Sequence, residues 1–181
     1  MVLGQWNLIP WFAKERKLKY PTSNARSEEL AAKASYKHPW ARGQRCIIPA
    51  GSFYEPNRET RKHIPWNFTR ADGDLWGLAG LWSTWTDKET AEIVESFTML
   101  TLNADNHPLI NRMHRPDMKR PPNTQDKRSV VPIDFENVVT MPRFHVQREV
   151  ANFSCMEDRD ARKQSSQAAV HRRVQGARRF T

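Results

Sequence analysis

The sequence predicts an α+β protein, a single domain with a curved, barrel-like, mostly antiparallel β core and a few peripheral helices. Three observations carry that expectation. Short runs rich in Trp, Phe, Thr and Val recur at modest spacing, each bounded by Pro, Gly, Asn or Asp, which is how strands and their turns read. Helical patterning is sparse, clearest in "SEELAAKASY" behind a polar start at Ser27. Finally, 181 residues, 38% of them apolar, suffice for one substantial core and are short for two. Seven Trp and eight Phe make that core aromatic-rich, because each large ring buries much area.

The elements follow in order. The chain enters an apolar run almost at once and reads like the middle of a domain. Trp6, Leu8 and Ile9 suit a strand that Pro10 ends, after which "WFAKERK" makes a short turn or helix. "YPTSNARSEELAAKASY" offers a loop, a polar cap at Ser27 and a helix carrying Glu28, Glu29, Leu30, Ala31 and Ala34. "HPWARGQ" closes that unit, "RCIIPAGSFYEP" is the next strand, and "NRETRKHIP" is a Pro-marked turn. "WNFTR" and "LWGLAGLWSTW" flank a turn at Asp72 and Gly73, which reads as a hairpin. "SFTMLTLNA" is a Thr- and Phe-rich strand, "DNHPLINRMHRPDMKRPPNTQDKR" is loop, and "SVVPIDF" is a last short strand. Beyond about Met141 apolar periodicity gives way to charge. The chain therefore divides into a domain over residues 1–140 and a basic, flexible tail over 141–181.

Lys and Arg number 29 against 20 Asp and Glu, a formal charge of +9, which favours polyanionic partners through counterion release. Residues 143–181 hold nine Lys or Arg and four Asp or Glu. More than half of the excess therefore sits in the tail, and charge alone does not establish a nucleic-acid ligand. Cys46 and Cys155 lie in unlike surroundings with no paired spacing, so neither a disulfide framework nor a zinc site is expected. No metal-ligand set and no cofactor motif is recognisable. There is no 18-residue apolar run and no signal-peptide pattern, which points to a soluble cytoplasmic protein without membrane attachment. Nothing marks an obligate protein partner, and a monomer is expected.

Several residues have a chemical and an ordinary reading side by side. Glu55, in "FYEP", is either the solvated end of a buried strand or a carboxylate tucked beside Phe53 and Tyr54 as a general acid or base. His114, in "RMHRP", sits between Arg112 and Arg115, cations that attract phosphate and disfavour a further charge on the imidazole. As an isolated histidine it equally suits a surface, as do His38, His63 and His107. Asn24 and Arg26, in "SNAR", make a turn and helix entry, or else an amide that fixes a reacting group and a guanidinium that grips phosphate. Trp11 and Phe12 stack on unpaired bases or pack into the core, the commoner fate of aromatic rings. Cys46 opens an apolar strand and reads as buried, which argues against a Cys46–His114 pair.

Taken in order, "WNLIPWFAKE", "SNARSE", "RCIIPAGSFYEP", "GLAGLW", "SFTMLTLNA" and "HPLINRMH" resemble the successive signature blocks of the SOS response-associated peptidase (SRAP) family, over about residues 3 to 135. The resemblance implies a DNA damage response protein that recognises abasic sites in single-stranded DNA. In that family a cysteine exposed by self-removal of the initiator methionine joins the ring-opened abasic sugar through its amine and thiolate, as a thiazolidine. Asn24 matches the family's active-site asparagine, and Arg26 its phosphate-binding arginine. Glu55 matches the glutamate that handles protons during ring opening and Schiff-base chemistry, and His114 the histidine that assists ring opening and reversal. Trp11 falls in the segment that wedges against DNA; Arg112 and Arg115, from the charge of the His114 loop itself, are further candidate DNA contacts.

The resemblance has departures. Val2 stands where the family has its cysteine, the segment that normally precedes "WNLIP" is absent, and Pro56 replaces a tryptophan common after the glutamate. The expectation is of a domain incomplete at its amino end. Either such a chain is a truncated member that lacks the nucleophile and still opens the sugar through Glu55, or it is a non-catalytic single-strand binding module.

Overall fold

The computed structural model describes residues 2–60, 62–133 and the backbone of 153–157. Its strands are β1 (Gln5–Trp6), β2 (Asn24–Arg26), β3 (Arg45–Ala50), β4 (Phe53–Asn57), β5 (Ile64–Arg70), β6 (Trp76–Thr86), β7 (Ile93–Asn103), β8 (Arg128–Val130), β9 (Pro132–Ile133) and β10 (Phe153–Glu157), with one α-helix, α1 (Ala34–Ala41), and 3-10 turns at Ser27–Glu29 and Ile110–Arg112. The protein is thus mostly β, with a mixed seven-stranded sheet and a three-stranded sheet. The described residues form two compact units, one from those up to Ile48 with Leu78–Leu102 and Ser129–Val131, the other from those of Pro49–Gly77, Asn103–Arg128 and from Pro132 onward.

The first unit is organised around the β6–β7 hairpin. Its strands pair antiparallel from Gly80↔Met99 to Thr86↔Ile93, and β7 buries alternate residues from Val94 to Leu100, the period of a half-covered strand. The Asp87 carboxylate closes the turn by accepting the Glu89 and Thr90 amides. Short β1 and β2 lie parallel to β7, Gln5 opposite Ser96 and Asn24 opposite Met99. Ser96 staples these layers: its buried hydroxyl accepts the Ile9 amide at 2.9 Å and donates to the Ser83 carbonyl at 3.1 Å. Ile9, Trp85 and Val94 form a buried cluster, and Trp85 Nε1 donates to the Ala13 carbonyl. Gly80 is required by close approach, because a Cβ there would lie 2.8 Å from both Cys46 Sγ and the Thr98 carbonyl.

The second unit is built on β4, which pairs antiparallel with β5, Phe53 opposite Phe68 and Glu55 opposite Trp66. β5 pairs on its other side with β10. Phe53 stacks on Phe68 at 5.1 Å and meets Trp76 edge-on at 5.7 Å. The Trp76 indole N–H donates to the Phe68 carbonyl, so a ring this deeply buried leaves its polar atom satisfied. The expected aromatic core is present here.

Several expectations are corrected. No barrel closes among the described residues: the sheets are open, and parallel pairings at β7 make the larger one mixed. The turn after Arg70 forms, with the Gly73 amide on the Arg70 carbonyl, but β5 and β6 belong to different sheets rather than to one hairpin. "RCIIPAGSFYEP" is two strands, β3 and β4, one in each sheet. The helix expected from Ser27 starts only at Ala34, since Asn24–Arg26 is drawn into a strand by β7 and only a 3-10 turn follows. That helix runs through Pro39 rather than stopping before it. It ends in a Schellman motif, with the Gly43 and Gln44 amides on the Trp40 and Pro39 carbonyls and Gly43 at φ +69°. A few helices were expected, and the described residues contain one. Most of the segment 141–181, expected to be flexible, lies outside the described residues. Among those described, no helix is long and apolar enough to cross a membrane.

Candidate active site

Glu55 is the third residue of β4. Its side chain is 12% exposed, and its Oε2 lies 2.9 Å from Nε2 of His114, whose side chain is 37% exposed. Fifty-nine positions separate the two in sequence, so the contact depends on how the loop between β7 and β8 is held against β4. That loop is fastened at three places. Met113, fully buried, forms a β-bridge with Asn57. The His114 N–H donates to the Pro56 carbonyl at 2.8 Å. Arg112 donates through Nε and an Nη to both oxygens of Glu59, at 2.6 and 2.7 Å, the bidentate geometry that gives the strongest ion pairs. Glu59 is itself oriented by Asn57, which bonds both its amide and its carboxylate.

His114 has φ +62°, a left-handed conformation that is strained for any residue with a β-carbon. Such strain persists where surrounding bonds over-determine it, and it gathers at functional sites. Lys127 lies against this backbone. It is 8% exposed, and its Nζ donates to the carbonyls of Met113 and His114 at 2.8 and 2.7 Å. Burial pushes the Lys127 ammonium below its ordinary range, and the charge of Asp105 opposes that effect. Asp105 accepts the Asp126 and Lys127 amides. Desolvation works against the ionised Asp105 carboxyl, yet these bonds outweigh it and hold the group below the ordinary carboxylate range. Earlier in the loop, His107 Nδ1 accepts the Leu109 and Ile110 amides, and burial lowers its affinity for a proton.

The other sequence candidates have different settings. Arg115 is exposed. Arg112 has its charge compensated by Glu59, and its guanidinium lies 6.0 Å from the Trp66 ring. In the first unit, Asn24 and Arg26 are exposed on β2 on either side of buried Ala25. The Asn24 carbonyl accepts the Tyr36 hydroxyl, and Arg26 lies 3.8 Å from Glu29. Trp11 is 62% exposed, against the general expectation of core packing, with its ring edge-on to Phe12 and tilted over His38. Cys46 is a thiol, pushed up to about 11 by burial, and thus a poor nucleophile at neutral pH. Among the described residues no three His, Cys, Asp or Glu are grouped to hold a metal ion.

Sequence reasoning found Glu55 and His114 separately but missed Lys127, Asp105 and Glu59. The only local signal was the Asp105 carboxylate beside a proline-rich loop, a pattern that suits any turn. Chemically, the arrangement offers one carboxylate and one imidazole 2.9 Å apart but not aligned as a hydrogen bond, two groups that can each exchange a proton with a third.

A family model described as SOS response associated peptidase (SRAP) matches residues 1–130. Abasic site processing protein YobE of Bacillus subtilis is 38% identical over 99 residues, covering 54% of this chain and 44% of that protein. Abasic site processing protein HMCES of Gallus gallus is 28% identical over 121 residues, covering 55% and 36%. The chain spans less than half the length of these curated relatives. A crystal structure of a Bordetella bronchiseptica protein aligns with TM-score 0.65 at 39% identity, over 74% of this chain and 62% of that one. Another, from Bacteroides thetaiotaomicron, aligns with TM-score 0.57 at 25% identity, over 73% and 53%.

Proposed function

The chain belongs to the SOS response associated peptidase family, and on that premise we propose that it acts on abasic sites in single-stranded DNA, with Glu55 and His114 moving the protons that open the abasic sugar. The observation that carries this reading is the 2.9 Å contact between the Glu55 carboxylate and the His114 imidazole. An abasic sugar rests mainly as a hemiacetal, with C1′ bonded to a hydroxyl and to the ring oxygen. Opening it requires a base to take the hydroxyl proton and an acid to protonate the ring oxygen as the C1′–O4′ bond breaks. One proton is taken and one is given, so a carboxylate and an imidazole in contact suffice, and the pair ends with the protons it started with.

In this reading Arg115 contacts phosphate beside the pair, while in the first unit Asn24 and Arg26 contact the DNA backbone and Trp11 offers a face on which an unpaired base stacks. Arg112 acts through its ion pair with Glu59, which holds the His114 loop to β4. The aldehyde so released is the electrophile that an amine or thiolate then captures.

The test uses two single-stranded oligonucleotides, one with an abasic site and one with a tetrahydrofuran analogue, which lacks the C1′ hydroxyl and does not open. A hydroxylamine probe reports the free aldehyde, and intact-mass analysis on denatured samples reports any protein–DNA bond. The protein is expected to accelerate aldehyde capture on the abasic strand while binding both strands. Equal binding with no acceleration would remove the acid–base assignment and leave a binding module.

A further inference from the structure

We propose that Lys127 is a positioning residue for the Glu55–His114 pair, its buried ammonium holding the His114 backbone in the conformation that carries the imidazole to the carboxylate. The inference rests on the acid–base reading above and adds a residue to it.

A lysine buried to this degree needs compensation for its lost hydration. Here the two bonds from Nζ go to consecutive backbone carbonyls, those of Met113 and His114. The His114 N–H, on the other side of the same α-carbon, is held by the Pro56 carbonyl. With both flanking peptide groups bonded, φ and ψ of His114 are set from outside, which is what a left-handed residue with a β-carbon requires. Without the Lys127 bonds, the peptide after His114 is free to rotate toward the ordinary region, and the imidazole swings with it.

Lys127 is anchored in turn. Its amide donates to Asp105 at 2.7 Å, its carbonyl accepts the Ala104 amide at 2.7 Å, and the preceding Asp126 amide donates to the other Asp105 oxygen. A chain of direct bonds thus runs from Asp105 through the Lys127 backbone and side chain to His114, which meets Glu55. These residues come from three separate stretches of sequence.

The test reads the geometry without requiring turnover. In protein with 15N-labelled histidine, Glu55→Gln is expected to move the His114 Nε2 resonance, because it removes the carboxylate 2.9 Å away. In a Lys127→Met background the same substitution is expected to leave that resonance in place, since the imidazole no longer faces residue 55. Lys127→Met is also expected to slow aldehyde capture at least tenfold while changing affinity for the abasic strand less than twofold. Where Lys127→Met does not fold, Lys127→Gln carries the test: its amide still donates to one carbonyl, and the Glu55→Gln response is expected to fall by half or more. An undiminished response in whichever variant folds overturns the proposal. A lost response in a protein that never accelerates aldehyde capture supports the positioning role and removes only the chemistry assigned to the pair.

Discussion

The loop around His114 and the exposed side chains of the first unit use polar and aromatic groups in opposite ways. Around His114 the polar groups are tied to one another: Arg112 to Glu59, Lys127 to two carbonyls, Asp105 to two amides, His107 to two more. On the first unit Trp11, Trp6 and Phe12 stand 62%, 52% and 43% exposed, and Asn24 and Arg26 point outward from β2. Proton transfer rewards groups held in one geometry before substrate arrives, because reorganisation then adds nothing to the barrier. Stacking and phosphate contact instead need open surface. The proposed function places chemistry in the bonded region and recognition in the open one.

Loosening the bonded region should give the largest effect. Phe68 is fully buried on β5 and stacks on Phe53, its register partner on β4, so Phe68→Ala should cost about 3–5 kcal/mol in chemical denaturation and should slow aldehyde capture as β4 loses its packing. A loss of stability below about 1 kcal/mol, small against the usual cost of emptying a core site, would mean that β4 is held by its edges and not by the aromatic core.

Removing a recognition group should be milder and of a different kind. Trp11→Ala should weaken single-strand binding by about 1–3 kcal/mol if one base stacks there, leaving the rate at saturating DNA unchanged. Arg26→Ala should reduce the slope of affinity against salt by about one. A fall in the saturated rate with either variant would break the division of labour between the two regions.

The smallest effect should come from acid. His107 accepts two amides at Nδ1, and burial lowers its pKa from the ordinary 6.5. A folded-state value below the unfolded one means that the unfolded chain takes up the proton first. The His107 contribution is therefore complete above about pH 6.5 and is lost as pH falls toward the folded value. Denaturation midpoints should decline over that window in the native protein and stay flatter in His107→Asn.

Much of this contrast is written locally in the chain, and the decisive part is not. The strands β5, β6 and β7 announce themselves through Trp, Phe and Thr between turn residues, and the residue types of Glu55 and His114 nominate them one at a time. Which strands pair is a long-range matter: the Asp72–Gly73 turn looks like a hairpin, yet β5 pairs with β4 and β10 instead. Ser27 looks like a helix start, but the segment before it is captured by β7. Lys127 carries no signal at all, since an isolated lysine in "TQDKRSVV" reads as solvated until the fold sets its ammonium against the Met113 and His114 carbonyls.

The most direct measurement is a double-mutant cycle on aldehyde capture at a single abasic site, with native protein, Glu55→Gln, His114→Asn and the double variant, the asparagine chosen because it tolerates the left-handed backbone. If the two groups act as one proton-handling unit, each single variant should lose about 10²-fold or more, and the double variant should be little worse than the poorer single. Losses that multiply in the double variant would mean that Glu55 and His114 act independently, and the 2.9 Å contact would then be structural and not the centre of the chemistry.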